Sequence, residues 1–305
     1  MAQKALELNS IDWEVRSARH YAGFWRRLLR NRLGFASLIF ILLVVLAALA
    51  GPAIHDVSPA QTHFDAINQP PSRAHPLGTD RLGHDTLARV LAGLRVSLLV
   101  AAVVELINVL LGATLGLLAG YFGGLIDTLI ARVADVFFAF PGLLLAILVA
   151  AIFGPWVTEN YGATARLILV AASISLVSWP LMARYVRGQT LSLRQRDFVL
   201  AAHALGITEH GILRRHILPN VAGLVITAAT LDVINAIVGE ATLSLLGLGI
   251  QSPDTSLGKM IVEATPLLAQ NGFLVFVPAC ALTALVLAFS FLGDALRDVF
   301  DPAGR

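Results

Sequence analysis

Long apolar stretches without charged residues are the feature of this sequence that most restricts how the chain can fold. Residues 34–50 form the first of them, and residues 273–293 form another near the end of the chain. About 20 apolar helical residues cross the hydrocarbon core of a bilayer. The composition agrees, because 14% of the residues are charged and 57% are hydrophobic, whereas soluble domains average about 25% charged residues. The sequence therefore predicts an all-α, polytopic membrane protein.

Six apolar stretches divide the chain, and the charges between them predict their orientation. The predicted transmembrane helices are residues 34–50, 96–120, 125–153, 167–183, 221–246 and 273–293. Sixteen of the 22 lysines and arginines fall on one side of this topology and six on the other. The positive-inside rule assigns the richer side to the cytoplasm. Both termini are therefore predicted to be cytoplasmic.

The remaining segments follow from this topology. Residues 1–33 are predicted to be a cytoplasmic tail with a basic helix in the membrane interface, and the first span is expected to remain as an anchor. Residues 96–293 would form a core of five transmembrane helices, followed by a cytoplasmic tail at 294–305. Extracytoplasmic segments are predicted at residues 51–95, 154–165 and 251–271. Because the basic tail directly precedes a span, its expected contact is membrane lipid and not nucleic acid.

A polar segment at residues 184–220 interrupts the predicted core on its cytoplasmic side. It contains six arginines and only two acidic residues. Asp197 is placed to cap a helix that stops at Gly206. Thr208 is placed to cap a second helix, which Pro219 would interrupt. The pattern predicts two short helices held below the membrane as a docking element.

Several separate motifs occur in order along the chain. They are His75-Pro76-Leu77-Gly78-Thr79-Asp80 with Leu82-Gly83-His84-Asp85, Gly120-Tyr121-Phe122-Gly123-Gly124 with Phe140-Pro141, the run from Asp197 to Gly206 with His216 to Asn220, and the run from Gly239 to Gly249. Together they resemble the C-type permease subunit of dipeptide and oligopeptide importers of the ATP-binding-cassette (ABC) class, a family that also carries nickel chelates and glutathione. Two positions depart from its pattern. Leu200 stands where the family has a glutamate, and His84 where it usually has a basic residue.

The resemblance implies a role for the polar segment and a set of partners. The residues it assigns to an EAA-type coupling loop, which contacts an ATPase subunit, are Asp197, Leu200, Ala201, Ala202, Leu205, Gly206 and Pro219. A bulky charged residue at Ala202 or Gly206 is expected to uncouple ATP hydrolysis from uptake. The implied partners are a second, homologous permease, two ABC ATPase subunits and an extracytoplasmic solute-binding protein. The implied location is the inner or plasma membrane of a prokaryote.

No cofactor is expected in this chain, and ATP and Mg²⁺ are expected on the ATPase subunits. The sequence has no G-x-x-x-x-G-K-[ST] phosphate loop, no H-E-x-x-H and no G-x-S-x-G. The histidines of the outer segment match no compact metal-ligand spacing. The chain is therefore predicted to be a non-catalytic subunit without a metal site.

Polar side chains inside the predicted spans are candidates for lining a translocation path, because such residues are expensive in a bilayer. They are Glu105, Asp232, Asn235 and Glu240. Asp232 lies deepest and is the best candidate for a water-filled path. A structural hydrogen bond within the helix bundle is the alternative interpretation of Glu105 and Asp232.

Three local patterns predict the geometry of helices and their contacts. Gly112, Gly116 and Gly120 recur every four residues, which places them on one helix face and lets another backbone approach closely. Arg132 and Asp135 are three residues apart on one predicted helix, which favours an ion pair between them. Pro141 lies within the third predicted span and is expected to kink it.

Two other functions remain compatible with the residues alone. The chain could be a self-sufficient, proton-driven transporter that uses Glu105, Asp232 or Glu240, although no repeated halves are visible. It could also be a membrane scaffold or receptor, which the polar residues in several spans disfavour. Flux through the purified chain that follows a pH gradient would indicate the first. The transported solute is not apparent from the sequence.

Overall fold

The computed structural model describes residues 26–55 and 57–300. Most of the predicted interfacial helix, before residue 26, and the last five residues lie outside this range. We number the α-helices α1 (Arg32–Ile54), α2 (Thr86–Ile107), α3 (Thr114–Phe122), α4 (Gly124–Phe138), α5 (Gly142–Arg194), α6 (Asp197–Ala204), α7 (Glu209–Ile212), α8 (Leu218–Leu245), α9 (Leu257–Ala264) and α10 (Phe273–Phe300). π-Helical turns at Asn108–Ala113 and Leu213–Ile217 join α2 to α3 and α7 to α8. The described residues contain no β-strand.

Within the described residues, five helical stretches are long and apolar enough to cross a membrane. They are Arg32–Gly51, Thr86–Phe122, Gly142–Arg194, Glu209–Leu245 and Phe273–Phe300. Many of their apolar side chains point outward, such as Leu46 and Leu49 of α1, which are 60% and 63% exposed. Such faces suit lipid or another membrane subunit. The helical, multi-pass class predicted from the sequence is confirmed, and the count of six spans stays a prediction.

Helix α2 lies at the centre of the bundle. It packs against α1, α5, α8 and α10, and its Val100 and Val104 are fully buried in the main core. A second core lies where α3, the end of α5, α6 and the π turn before α8 meet. A third joins α1 to α10. The cores therefore connect the spanning helices to the short helices between α5 and α8.

The predicted glycine face is confirmed as a close helix contact. A Cβ atom placed at Gly116 would lie 2.5 Å from the Ala183 carbonyl oxygen of α5. At Gly112 it would lie 2.7 Å from the Trp179 carbonyl, and at Gly120 2.7 Å from Cβ of Thr190. Helices α2 and α3 continue into each other through the π turn, and we call them together the α2–α3 helix. Its backbone approaches that of α5 at a distance that only glycine allows.

The first helix of the predicted core begins earlier than the sequence indicated. Helix α2 starts at Thr86, so residues 86–95, predicted as loop, are helical. The reason is a cap, since the Asp85 side chain accepts a hydrogen bond of 2.7 Å from the Ala88 amide. A capping aspartate satisfies an amide that the first helical turn leaves free.

The region around Pro141 also differs from the prediction. Instead of kinking one span, Pro141 lies between two separate helices, at the N-cap of α5. The predicted outer loop at 154–165 is helical except at Gly162, whose φ of 80° and ψ of −178° break the helix. Glycine adopts this backbone conformation readily because it has no Cβ, whereas other residues are disfavoured there. The segment predicted as a loop is therefore helical on both sides of a turn at one residue.

The predicted ion pair between Arg132 and Asp135 is wrong. Asp135 instead accepts a hydrogen bond of 2.8 Å from Arg184 of α5. One helical turn away from this contact, Arg187 of α5 binds both carboxylate oxygens of Asp127, with Nη2 2.7 Å from Oδ2. Helix α4 lies along the end of α5, and this packing offers its acids better-placed partners than Arg132.

Two aspartates organise the outer segment before α2. Asp85 is fully buried and also binds His55 and His75, at 3.0 Å and 2.8 Å. Asp80 accepts from His84 at 2.8 Å and from the Arg89 guanidinium. Burial alone would raise the pKa of each aspartate, but the hydrogen bonds outweigh it and hold both pKa values below their usual range. Three of the four outer histidines, His55, His75 and His84, thus contact carboxylates.

Candidate functional site

The segment between α5 and α8 is a compact docking element with an exposed apolar face. Val199 and Ala202 of α6 are buried at 0% and 2% exposure, beside Ile212 of α7. In contrast, Leu200 of α6 and Leu205, which caps the C-terminus of α6, are 54% and 80% exposed. Of the residues predicted to form the coupling loop, Ala202 is buried. The others are exposed, namely Asp197, Leu200, Ala201, Leu205, Gly206 and Pro219.

The end of α6 is closed as its sequence predicts. Gly206 has φ of +73°, and its amide donates to the His203 carbonyl at 3.0 Å. The next amide, of Ile207, donates to the Ala202 carbonyl at 3.1 Å. Such closing bonds are typical of a Schellman-type helix end, which needs a left-handed residue after the helix. Thr208 then caps α7, because its hydroxyl accepts from the Gly211 amide at 3.3 Å.

Two predictions on this segment are wrong. Asp197 does not cap α6, because the N-cap is Arg196 and the helix already includes Asp197. A carboxylate in the first turn still complements the helix dipole there. Pro219 does not end a helix, since it lies in the first turn of α8, where a missing amide hydrogen breaks no bond. The π turn before α8 provides the change in helical geometry instead.

Tyr121 of α3 joins both short helices to the membrane bundle. Its side chain is 3% exposed, and its hydroxyl donates to the carboxylate of Glu209. The same hydroxyl lies 3.4 Å from Nε2 of His203, and the two rings are stacked with their centroids 6.4 Å apart. His203 belongs to α6 and Glu209 to α7, so one side chain of α3 holds both helices. Tyr121 belongs to one of the sequence motifs, but its partners are more than 80 positions away.

A second polar group lies in the middle of the bundle. Asp232 of α8 accepts hydrogen bonds of 2.9 Å from both Asn108 and Asn235. Ser178 of α5 donates to Asn108 at 3.0 Å. Glu105 of α2 lies against Asp232 and is 8% exposed. Three of the four predicted path residues are therefore brought together by packing of α2, α5 and α8, and Ser178 is an addition that sequence reasoning missed.

Glu240, the remaining path candidate, lies apart from this group. It is fully buried, and its carboxylate accepts from Ser244 at 2.7 Å and from Ser97 at 3.4 Å. The Ser97 bond joins α8 to α2, whereas the Ser244 bond lies within α8. Its role as a path residue stays a prediction.

Comparison with known proteins places these features in context. Residues 112–305 match a family model described as binding-protein-dependent transport system inner membrane component. Residues 21–71 match one described as the N-terminal TM domain of oligopeptide transport permease C. Among curated proteins, the chain is 38% identical over 304 residues to the oligopeptide transport system permease protein OppC of Escherichia coli K12, covering 99% of this chain and 97% of the relative.

Other similar proteins carry related descriptions. The glutathione transport system permease protein GsiD of Shigella flexneri is 39% identical, with 95% of this chain and 92% of the relative covered. The dipeptide transport system permease protein DppC of Bacillus subtilis is 37% identical, with 92% and 85% covered. Among solved structures, an inward-facing form of the methionine ABC transporter MetNI aligns with a TM-score of 0.54 and 20% identity, covering 69% of this chain and 96% of that one. That likeness concerns the fold alone.

Proposed function

The chain belongs to the family of inner membrane components of binding-protein-dependent transport systems, and on that premise we propose that its α6–α7 segment transmits force from an ATPase subunit. The chain is a permease component of an ABC importer of the oligopeptide, dipeptide and glutathione class. It is a membrane subunit and not itself catalytic. ATP and Mg²⁺ would bind to separate ATPase subunits, and the solute would come from an extracytoplasmic binding protein.

The observation that carries the proposal is the contrast between the two faces of α6. Val199 and Ala202 are buried in the bundle, whereas Leu200 and Leu205 are exposed. An exposed apolar face on a firmly held helix is typical of a binding surface. Tyr121 connects both short helices to α3. A displacement of the exposed side of α6 by an ATPase subunit would therefore be transmitted to the spanning helices. Leu200 in place of the family's glutamate makes the contact apolar at that position.

The geometry also supports six crossings. A straight helix of the 53 residues of α5 would be about 80 Å long, more than twice the hydrocarbon thickness of about 30 Å. The break at Gly162 divides α5 into two parts, each long enough to cross. Trp156 and Tyr161 lie exposed beside the break with ring centroids 5.5 Å apart, as in an interfacial aromatic belt. Under this proposal, α6–α7 and both termini are cytoplasmic.

The coupling role is tested by a charge on the exposed face of α6. We expect Leu205→Asp to reduce ATP-driven uptake by about tenfold or more, because an aspartate at an apolar contact loses its hydration without gaining a partner. Leu205→Met is the matched control, since it keeps the apolar contact and is expected to transport normally. Leu205 is 80% exposed, so both variants should fold like the parent chain. The measurement is uptake and ATPase activity of the reconstituted importer with its binding protein.

The variants also distinguish force transmission by the α6–α7 segment from other roles of that segment. Normal uptake by Leu205→Asp would contradict the proposed contact. Loss of uptake with unchanged ATPase activity would indicate uncoupling, which is expected if the α6–α7 segment transmits force from the ATPase to the spanning helices. Equal loss in both variants would show that shape at this position matters but apolar contact with an ATPase does not.

A further inference from the structure

The polar group in the middle of the bundle has more acceptors than donors. It consists of Glu105 on α2, Asn108 on the π turn, Ser178 on α5, and Asp232 and Asn235 on α8. Two of these five residues are carboxylates that lie against each other. If the chain is a solute permease, as proposed above, a polar group at this depth is a candidate binding site for part of the solute.

The hydrogen bonds within the group leave one carboxylate without a donor. Asn108 and Asn235 each direct an amide donor at Asp232, at 2.9 Å. The Ser178 hydroxyl donates to the Asn108 oxygen. Glu105 is more than nine-tenths buried, and no hydrogen bond of good geometry reaches its oxygens, although Asn108 and Asp232 lie beside it. Among the described residues, neither Glu105 nor Asp232 forms an ion pair with a lysine, arginine or histidine; the ion pairs of this chain lie elsewhere.

Such an arrangement is complementary to a small cation. A buried carboxylate without a partner is strongly destabilised, and a second carboxylate beside it adds repulsion. Carboxylate oxygens accept hydrogen bonds but cannot donate them when ionised. A group that carries a positive charge and several N–H donors would satisfy Glu105 and bridge it to Asp232. A primary ammonium, with three donors on one atom, has this chemistry.

The group is accessible from one side of the molecule. Asn235 is exposed in this chain and Asp232 is half-buried, although both lie near the middle of a helix that is apolar enough to span a membrane. Polar side chains at that depth face protein or water, because exposure to lipid is expensive. This face of α8 therefore fits the wall of a translocation path, with Glu105 deeper behind it.

We propose that Glu105 and Asp232 form a binding site for a primary ammonium group of the transported solute, with Asn108 and Asn235 holding Asp232 in position. Two sources supply this chemistry in a peptide, namely the N-terminal amino group and a lysine side chain. The ammonium enters past Asn235, replaces the direct contact between the two carboxylates, and donates to both oxygens of Glu105 and to Asp232. The site thereby recognises a feature of every unmodified peptide that does not begin with proline, whatever its side chains.

Photochemical cross-linking in the complete importer tests this assignment. The probes are the tripeptides photoleucine-Ala-Ala and Ala-Ala-photoleucine, delivered by the binding protein to the reconstituted complex and irradiated after ATP addition. The N-terminal probe is expected to label the α8 peptide around Asp232 about tenfold more than the C-terminal probe. Glu105→Gln and Asp232→Asn are each expected to reduce this labelling about tenfold, the order expected for one charge-assisted hydrogen bond. Glu159→Gln, which neutralises an exposed acid near the middle of α5, is the matched control and should label like the parent.

N-acetylated probes distinguish the two sources of the ammonium. N-acetyl-photoleucine-Ala-Ala has no ammonium and should not label α8, whereas N-acetyl-photoleucine-Ala-Lys should restore labelling if a side-chain ammonium is also accepted. Equal labelling by the free and acetylated probes that lack lysine would overturn the proposal, even if neither charge variant assembles. Unchanged labelling in assembled Glu105→Gln and Asp232→Asn complexes would also overturn it, as would import of the probe without any label on α8. If the parent complex does not import the probe with ATP, the proposed peptide permease function fails, and the site assignment falls with it.

Discussion

At the scale of single residues, Asp85 joins two spanning helices outside the membrane. Its carboxylate caps α2 through the Ala88 amide and binds His55, the residue that ends α1. A third bond reaches His75 of the outer segment. Because the side chain is fully buried, each of these bonds is shielded from water. One carboxylate therefore determines how the outer segment lies against the bundle.

Acid should loosen this outer segment within a defined pH window. The pKa values of Asp80 and Asp85 are lowered in the folded chain, so their contribution is fully present above the unfolded value of about 3.9 and is lost as pH falls through the folded values. Pepsin cleavage between α1 and α2 should therefore stay slow down to about pH 4 and accelerate below it. We expect Asp85→Asn to raise cleavage already above that pH, because one of the two carboxylate oxygens that bind the histidines becomes an NH2 group, which cannot accept a hydrogen bond. Asp65→Asn, a change at an exposed position, is the control, and parallel behaviour of both variants would contradict the role of Asp85.

At the scale of elements, the contact between the α2–α3 helix and α5 depends on three glycines. The backbone of α5 lies where a Cβ of Gly116 would be, 2.5 Å from the Ala183 carbonyl. The same pair of helices carries Tyr121, which holds the docking element, and Glu105 and Ser178, which contribute to the polar group. A change in their separation would therefore disturb both proposed sites.

A matched pair of glycine substitutions measures this contact. We expect Gly116→Ala to lower the free energy of unfolding by about 1–3 kcal/mol, the usual effect of overpacking. Gly188 of α5 has no atom within 4 Å of the position its Cβ would take, so Gly188→Ala should be neutral or stabilise by up to about 1 kcal/mol through helix propensity. Thermal unfolding of the two variants in lipid nanodiscs gives the comparison. Equal melting temperatures would show that the close helix contact does not limit stability.

At the scale of the whole molecule, the ends of the described chain lie together. Arg27 donates to the Val299 carbonyl at 3.2 Å, and a Cβ at Gly34 would meet the Cβ of Ala295. The residues before α1 and the end of α10 therefore belong to one side of the bundle. An even number of crossings follows if the bundle sits in a membrane, which agrees with two crossings by α5.

Cysteine labelling in intact cells tests this topology. Cys280 is the single cysteine, so Cys280→Ser provides a background for Glu159→Cys and Leu205→Cys. With six crossings, a membrane-impermeant maleimide should label position 159 from outside and position 205 only after permeabilisation. With a single crossing by α5, position 159 would lie in the bilayer and position 205 would be labelled from outside. That second pattern would reject the proposed topology and, with it, the contact with a cytoplasmic ATPase.

The sequence by itself determined the features that depend on neighbouring residues. Apolar stretches and arginine asymmetry predicted a helical membrane protein. Gly206 and Thr208 marked helix boundaries that the structure confirms, because a left-handed residue or a cap acts within one turn. The glycine spacing in α2–α3 identified a contact face, since helical periodicity decides which residues share a face.

Only the tertiary structure decided which distant residues meet. Asp135 pairs with Arg184 and not with Arg132, although the local spacing favoured the latter. Glu105 and Asp232 lie far apart in the chain and come into contact because α2 and α8 pack with a particular register. Spacing along one helix predicts the face that a residue occupies, but the residue opposite depends on the rotation and offset of another helix. Those quantities follow from the packing of all side chains at once, and no local pattern in the sequence contains them.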